Sequence, residues 1–334
     1  MKKVLLVNDT RMVGHHGSSA VVDVIMQQFA KRGIAVHSHT QHGIDLENIG
    51  DHGCQGVVIN GEGAMHRGQK NSHLFSRIGQ QMSERQDPVF LINTVFDEQT
   101  PEIVARMRYF TRVYCRETPS VERLLAVSGV QGRLCPDLTF ALELPEGLAW
   151  RPGDTIVVLD TTVASKNREL HRFCLENNLL FQPIRTSPRL ISIRNAKNWM
   201  RIARFNTTKY IGKLLPRVYA FNRYSNAITD TDAFVRRLAD GTRVVVAARF
   251  HGVCLCVKVG VPFLAIASNT AKIEGMLADA GLSDRMLDMA DLDIDVIRRR
   301  SSWSQAHEAS RVRYVKDAQV RIGAMFDDIA ATLR

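Results

Sequence analysis

Short runs of apolar, often β-branched residues alternate along this chain with stretches in which apolar positions return every three or four residues. The first kind of run predicts buried strands and the second predicts amphipathic helices. Lys3-Val-Leu-Leu-Val-Asn8 reads as the first strand. Residues 18–32 follow as a helix, with Val21, Val22, Ile25, Met26 and Phe29 on one side and Gly33 as its stop. Strands are expected at residues 34–39, 56–60, 88–93 and 112–115, with helices at 72–85, 101–109 and 118–127 between them. Residues 132–135 close this half. A loop rich in Pro, Gly and charge, residues 144–154, then interrupts the alternation. Past it the pattern restarts. Strands are expected at 155–159, 180–184, 243–247 and 262–267, helices at 166–176, 232–239, 252–259 and 270–280, and one or two amphipathic helices at 303–333. Alternation of this kind makes parallel sheets covered on both faces. The expected fold is therefore α/β, with two Rossmann-like, doubly wound lobes and a cleft between them. The expected domains are residues 1–146, residues 147–302 and a helical end at 303–334.

Length agrees with that division, since 334 residues suit two α/β cores better than one. No apolar run reaches the roughly 18 residues of a membrane span. The opening MKKVLLVNDTR is cut off by Asn8, Asp9 and Arg11 and reads as a buried strand rather than a signal peptide. The six cysteines form no CxxC pair, and Cys254-x-Cys256 is too tightly spaced for a metal motif. Buried thiols in a reduced, cytoplasmic protein are the expectation. No metal and no cofactor is implied.

Charge changes the picture more. The net charge is +10, and ten cations with no acid lie between Glu176 and Asp230, from Arg185 to Arg223. This insertion, residues 185–224, also carries Trp199, Phe205, Tyr210, Tyr219, Phe221 and Tyr224. Such a stretch calls for an anionic partner. An anionic membrane surface on the inner face of the plasma membrane is preferred, nucleic acid is disfavoured, and a merely solvated basic face is the plain alternative.

Candidate chemistry gathers where strands meet helices, as ligand sites do in such sheets. The strongest group is Ala247-Ala-Arg249-Phe250-His251-Gly252. Here Arg249 could clamp a phosphate or carboxylate beside a helix start, and His251 could exchange a proton near neutral pH. The alternative is a packed histidine with Arg249 in a salt bridge. On the next strand end, Ser268-Asn269-Thr270-Ala-Lys272 puts a cation in a first helical turn, against the helix dipole, where a bound anion would resolve the conflict. In the first half, Asn60-Gly61-Glu62-Gly63 allows close backbone approach, with His66, Arg67 and Lys70 behind it, or is a plain turn. Arg116 and Asp137 stand at two further junctions. The loop Gly14-His15-His16-Gly17-Ser18 lacks both GxGxxG spacing and a P-loop lysine, which argues against a dinucleotide site or a nucleotide hydrolase.

These junctions, in this order, resemble the polysaccharide pyruvyl transferase family. The resemblance rests on Asn60-Gly-Glu-Gly63, Arg116-Glu-Thr-Pro-Ser120, Cys135-Pro-Asp137 and, above all, Arg249-Phe-His251 followed by Gly260-Val-Pro262 and Lys272. It implies a GT-B-like fold and transfer of a pyruvyl group from phosphoenolpyruvate to a sugar of a cell-surface polysaccharide or its lipid-linked precursor, forming a ketal. It also implies that Arg116, Arg249, His251 and Lys272 serve the donor's phosphate, carboxylate and proton. Arg249 and His251 are the expected catalytic pair. Arg116, Lys272, Gly61, Gly63, His66, Lys70 and Asn269 are the expected binding set. The chain departs from the family pattern in its first loop, which usually carries Asn and Asp around its glycines and here carries His15 and His16. The alternative reading is a GT-B-type glycosyltransferase that uses a nucleotide sugar.

Overall fold

The computed structural model describes residues 2–40, 49, 53–185 and 226–333. Apart from Arg185, the basic segment 185–224 and its expected lipid contact lie outside the described residues. The chain forms two compact units, one of residues 1–10, 21–141 and 316–334 and one of residues 11–20 and 142–315. A single boundary near residue 146 therefore does not describe the partition. Ten residues of the first loop and first helix belong to the second unit, and the end of the last helix belongs to the first.

The first unit holds six strands: β1 (Lys3–Val7), β2 (Ala35–His39), β3 (Val57–Asn60), β4 (Val89–Thr94), β5 (Arg112–Cys115) and β6 (Arg133–Leu134). They pair in parallel in the order β2-β1-β3-β4-β5-β6. Strands β3 and β4 are buried at every position, which explains their unbroken apolar sequence: both faces are covered. On one face α2 (Lys70–Glu84), α3 (Pro101–Arg106) and α4 (Thr118–Ser128) bury Phe75, Ile78, Met82, Ile103 and Leu124 against Leu5, Ile59 and Leu91. Each such side chain contributes about 1.5–3 kcal/mol on burial. Helix α3 starts where Thr100 caps Ile103 N and Pro101 takes the first turn. Helix α4 ends at Gly129 in a left-handed conformation (φ 70°).

The last helix, α10 (Gln305–Thr332), is one continuous run of 28 residues. Its second half is tied to the first unit. Phe326 meets Phe29 edge to face at 5.0 Å, Asp327 takes Arg32 at 2.7 Å, and Asp328 accepts from Tyr114 Oη and from Arg133 at 2.9 Å. These contacts explain why residues 316–334 belong to the first unit.

The second unit holds β7 (Arg151–Leu159), β8 (Leu180–Gln182), β9 (Asp240–Ala247) and β10 (Phe263–Ala265), all parallel, in the order β10-β9-β7-β8. Around them run α5 (Ala164–Glu176), α6 (Thr231–Ala239), α7 (Phe250–Val259), α8 (Lys272–Ala280) and α9 (Ile294–Arg299). Helix α7 is buried from Phe250 to Val257, so it belongs to the core. Of the six cysteines five are buried, and burial raises the thiols of Cys115, Cys135 and Cys256 and brings Cys174 to about 12. Such thiols stay protonated and inert. No described helix is long and apolar enough to cross a membrane.

Candidate active site

In the second unit the chain passes from β7 to β8 on one side and returns to β9 on the other. The strand order reverses between β7 and β9, and the carboxyl ends at such a switch point are where open α/β sheets bind ligands. Asp160 directly follows β7, and Arg249 stands two residues past β9 as the N-cap of α7. Their side chains meet there. Arg249 donates from Nε (3.0 Å) and Nη2 (2.6 Å) to Asp160 Oδ2, and Nη2 also reaches Thr161 O at 3.5 Å. Asp160 Oδ1 in turn accepts from Ile184 N at 2.9 Å, after β8. One carboxylate thus fixes the guanidinium across the switch point. The salt bridge weighed as an alternative from sequence is present, and it holds Arg249 at the strand ends with its side chain 12% exposed, not in the apolar interior. Asp160 carried no signal in the sequence beyond its place after Val-Val-Leu.

His251 is the second residue of α7 and is buried. It is not the only imidazole there. His15 comes from the loop before α1 (His16–Ala30), and its ring packs edge to face on His251 at 5.4 Å between centroids. Gly17 makes this possible: a Cβ at that position would stand 2.3 Å from both Cβ and Cγ of His251. The loop is anchored by a bridge between His15 and Arg185 and by His16 N donating to Ile184 O at 3.2 Å. Ser18 N donates to His15 Nδ1 at 3.3 Å, so the neutral ring carries its proton on Nε2. His15 is held well below the usual histidine range, first by burial and then by the basic groups around it, Arg249 foremost.

His16 is occupied differently. Its Nε2 donates to Ile228 O and its Nδ1 faces Thr231 Oγ1, each at 3.0 Å, while the ring stacks on Phe234 at 4.4 Å. Burial brings it down to about 4, outweighing the Ile228 carbonyl and Asp230. It pins the loop and is spent on that.

The other expected residues fall into two groups. Lys272 begins α8 on the loop after β10, the strand next to β9, and donates to Asn269 Oδ1 at 3.1 Å. In the first unit Gly61 is buried, and a Cβ there would meet Thr94 at 2.5 Å. Gly63 is exposed in a left-handed conformation (φ 67°), His66 is buried, and Lys70 is exposed at the start of α2. Arg116 is buried and ion-paired with Asp137 at 3.1 Å, while Asp137 Oδ1 accepts from Thr139 N and Oγ1 at 3.0 and 2.6 Å. Sequence reasoning missed a set of buried amides beside them. Asn8 Nδ2 donates to Asn60 O (2.7 Å), Asn60 Nδ2 to Asn8 O (3.3 Å), and Asn93 Nδ2 to Asn60 Oδ1 (3.4 Å). Asn8 and Asn93 both have positive φ, 69° and 51°, a region that asparagine tolerates better than most residues. Among the described residues no group of three or more His, Cys, Asp or Glu could hold a metal ion.

A family model described as polysaccharide pyruvyl transferase matches residues 28–270. No curated protein matches the chain. A functionally uncharacterised protein of Klebsiella pneumoniae subsp. pneumoniae NTUH-K2044 is similar at 11% identity and a TM-score of 0.50, over 86% of this chain and 93% of that one. At that identity the likeness concerns the fold. An O-GlcNAc transferase mutant of Thermobaculum terrenum aligns at 10% identity and a TM-score of 0.38, over 100% of this chain and 69% of that one.

Proposed function

We propose, from the premise that this chain belongs to the polysaccharide pyruvyl transferase family, that it moves a pyruvyl group from phosphoenolpyruvate to two hydroxyls of a sugar. The acceptor is a cell-surface polysaccharide or its lipid-linked precursor, and the product is a pyruvate ketal. The observation that carries this reading is the imidazole of His251 next to an arginine fixed at the switch point of a parallel sheet. Phosphoenolpyruvate presents a carboxylate and a phosphate. Arg249, Lys272 and the backbone N–H groups at the start of α7 are cationic or donor groups of the kind that binds both.

His251 is the general acid in this reading. It gives a proton to the vinyl CH2 carbon, which becomes the methyl group, and the adjacent carbon becomes electrophilic. A sugar hydroxyl adds there and its proton restores His251. The C–O bond to phosphate breaks, the second hydroxyl adds, and its proton leaves with the phosphate. Arg249, held in place before substrate arrives by Asp160, stabilises the departing charge without having to reorganise. Arg116, Gly61, Gly63, His66 and Lys70 in the first unit and Asn269 in the second are proposed as further substrate contacts on their strand-end positions. Residues 185–224 are proposed to rest on anionic lipid, which liposome sedimentation at low salt would test.

The experiment is incubation with phosphoenolpyruvate and candidate lipid-linked sugars, scored by phosphate release and by the mass gain of a ketal on the sugar. Thermal stabilisation by a nucleotide sugar and not by phosphoenolpyruvate would overturn the donor assignment.

A further inference from the structure

His15 stands outside the expected site set, on the loop before α1. Four observations bear on it. Its ring lies against His251. Its Nδ1 is taken by Ser18 N–H, which leaves Nε2–H as a donor of fixed identity. It is bridged to Arg185, the first residue of the basic segment, so a further cation enters the same neighbourhood past the carboxyl end of β8. Finally, the titratable groups that act on it are Arg249 and His251 from the β9–α7 junction, His16 from its own loop and Arg185 from after β8, every one of them basic and none acidic. A buried, neutral N–H donor under positive potential is matched by an anionic acceptor and poorly matched by a cation or an apolar group.

We propose that His15 is a substrate-binding residue whose Nε2–H hydrogen-bonds an oxygen of the anion served by Arg249 and His251. The inference rests on the reading that the second unit takes an anionic donor, and it names a contact to that donor.

The test is isothermal titration of the full chain with phosphoenolpyruvate and, separately, with inorganic phosphate, in wild type, His15→Phe and His15→Gln. Phe keeps the ring and removes the donor; Gln keeps an N–H of similar reach. Phe is expected to weaken phosphoenolpyruvate binding about tenfold or more and Gln by less than about threefold, with the melting temperature of both unliganded variants close to wild type. Phosphoenolpyruvate binding within about twofold of wild type in His15→Phe would overturn the inference while leaving the function intact. Equal losses in Phe and Gln would overturn it too, since that pattern marks a packing role. If wild type binds phosphate and not phosphoenolpyruvate, the donor assignment falls and the phosphate comparison decides His15. Binding of neither removes both. Should the Phe variant fail to fold, the His15 ring resonances of wild type, assigned by their loss in His15→Gln, serve instead. They should move on addition of phosphoenolpyruvate, and unmoved resonances would sink the contact.

Discussion

At the carboxyl ends of the first sheet, β1 and β3 run into Asn8 and Asn60, whose amides bond each other's backbone, and Asn93 on β4 completes the set. At the matching ends of the second sheet, β7 and β9 run into Asp160 and Arg249, with His251 and His15 beside them. The strand order is shared: β2-β1-β3-β4 within the first sheet corresponds to β8-β7-β9-β10 in the second. The backbone therefore offers the same switch point twice, and side-chain chemistry separates the two. The first is furnished with neutral amides and a buried ion pair, Arg116–Asp137, in which Asp137 also accepts two bonds from Thr139. The second carries imidazoles and a guanidinium positioned from one side by a single carboxylate. Polar groups that satisfy one another hold a fold together, and a cation with an adjacent proton carrier can do chemistry.

The comparison can be broken where its contrast is greatest. His251→Ala should lower turnover by about 10²–10⁴-fold, the usual worth of a positioned general acid, with phosphoenolpyruvate affinity and melting temperature retained. In the first unit the matching removal, Arg116→Met, should act first on folding, ahead of any loss of the substrate contact proposed for it. It leaves Asp137 charged and buried, and costs about 3–5 kcal/mol in urea unfolding. If Arg116→Met unfolds like wild type, or if His251→Ala loses stability and keeps its rate, the contrast between the two sheets is wrong.

Gly17 gives a sharper, intermediate test. Alanine in place of glycine usually favours a helix, and the second residue of α1 has no positive φ to protect. The added methyl nevertheless has nowhere to go: Cβ and Cγ of His251 both lie 2.3 Å away from it. Rotating the ring does not clear the Cβ contact, so the backbone of α1 or α7 must move and displace the His251 ring, and a displacement of about 1 Å can cost about 10²-fold in rate. Gly17→Ala should therefore lose about 1–3 kcal/mol of stability through overpacking and turn over about 10²-fold more slowly. Wild-type turnover would show that His251 does not act from this position.

Much of this was legible in the sequence, for reasons that also explain what was not. Strands such as β3, β4 and β9 are buried on both faces, so their β-branched runs stand out. Arg249 and His251 could be placed because they follow such a run and open a helix. Lys272 stood out because a cation in a first helical turn runs against the dipole. By contrast, Asp160 matters through its partner 89 positions along the chain, and a strand-end aspartate looks like any turn residue. His15 and Gly17 acquire their roles from a contact with His251 across more than 230 positions, which periodicity does not encode. The division of α10 was hidden for a related reason. Its contacts to Phe29, Arg32 and Tyr114 lie about 200 positions or more away, and nothing in a continuous amphipathic helix marks the residue at which its partners change.

The smallest expected effect separates the two histidines of the first loop. His16 has a folded-state value near 4 against about 6.5 in the unfolded chain. Between those values the unfolded chain binds the proton and the folded one does not. Stability therefore rises with pH across this window, is fully present above about pH 6.5 and is lost as pH falls toward 4. The loss due to His16 between pH 7 and pH 5 is about 2 kcal/mol. His15 is depressed in the same direction and adds to the slope. Urea unfolding at the two pH values measures the sum, and His16→Gln should flatten it while leaving the His251 ring in place. A His16→Gln protein with an unchanged pH slope would mean that burial does not hold His16 neutral in the folded chain. The loop would then be held by other means, and His15 would lose the support that fixes it beside His251.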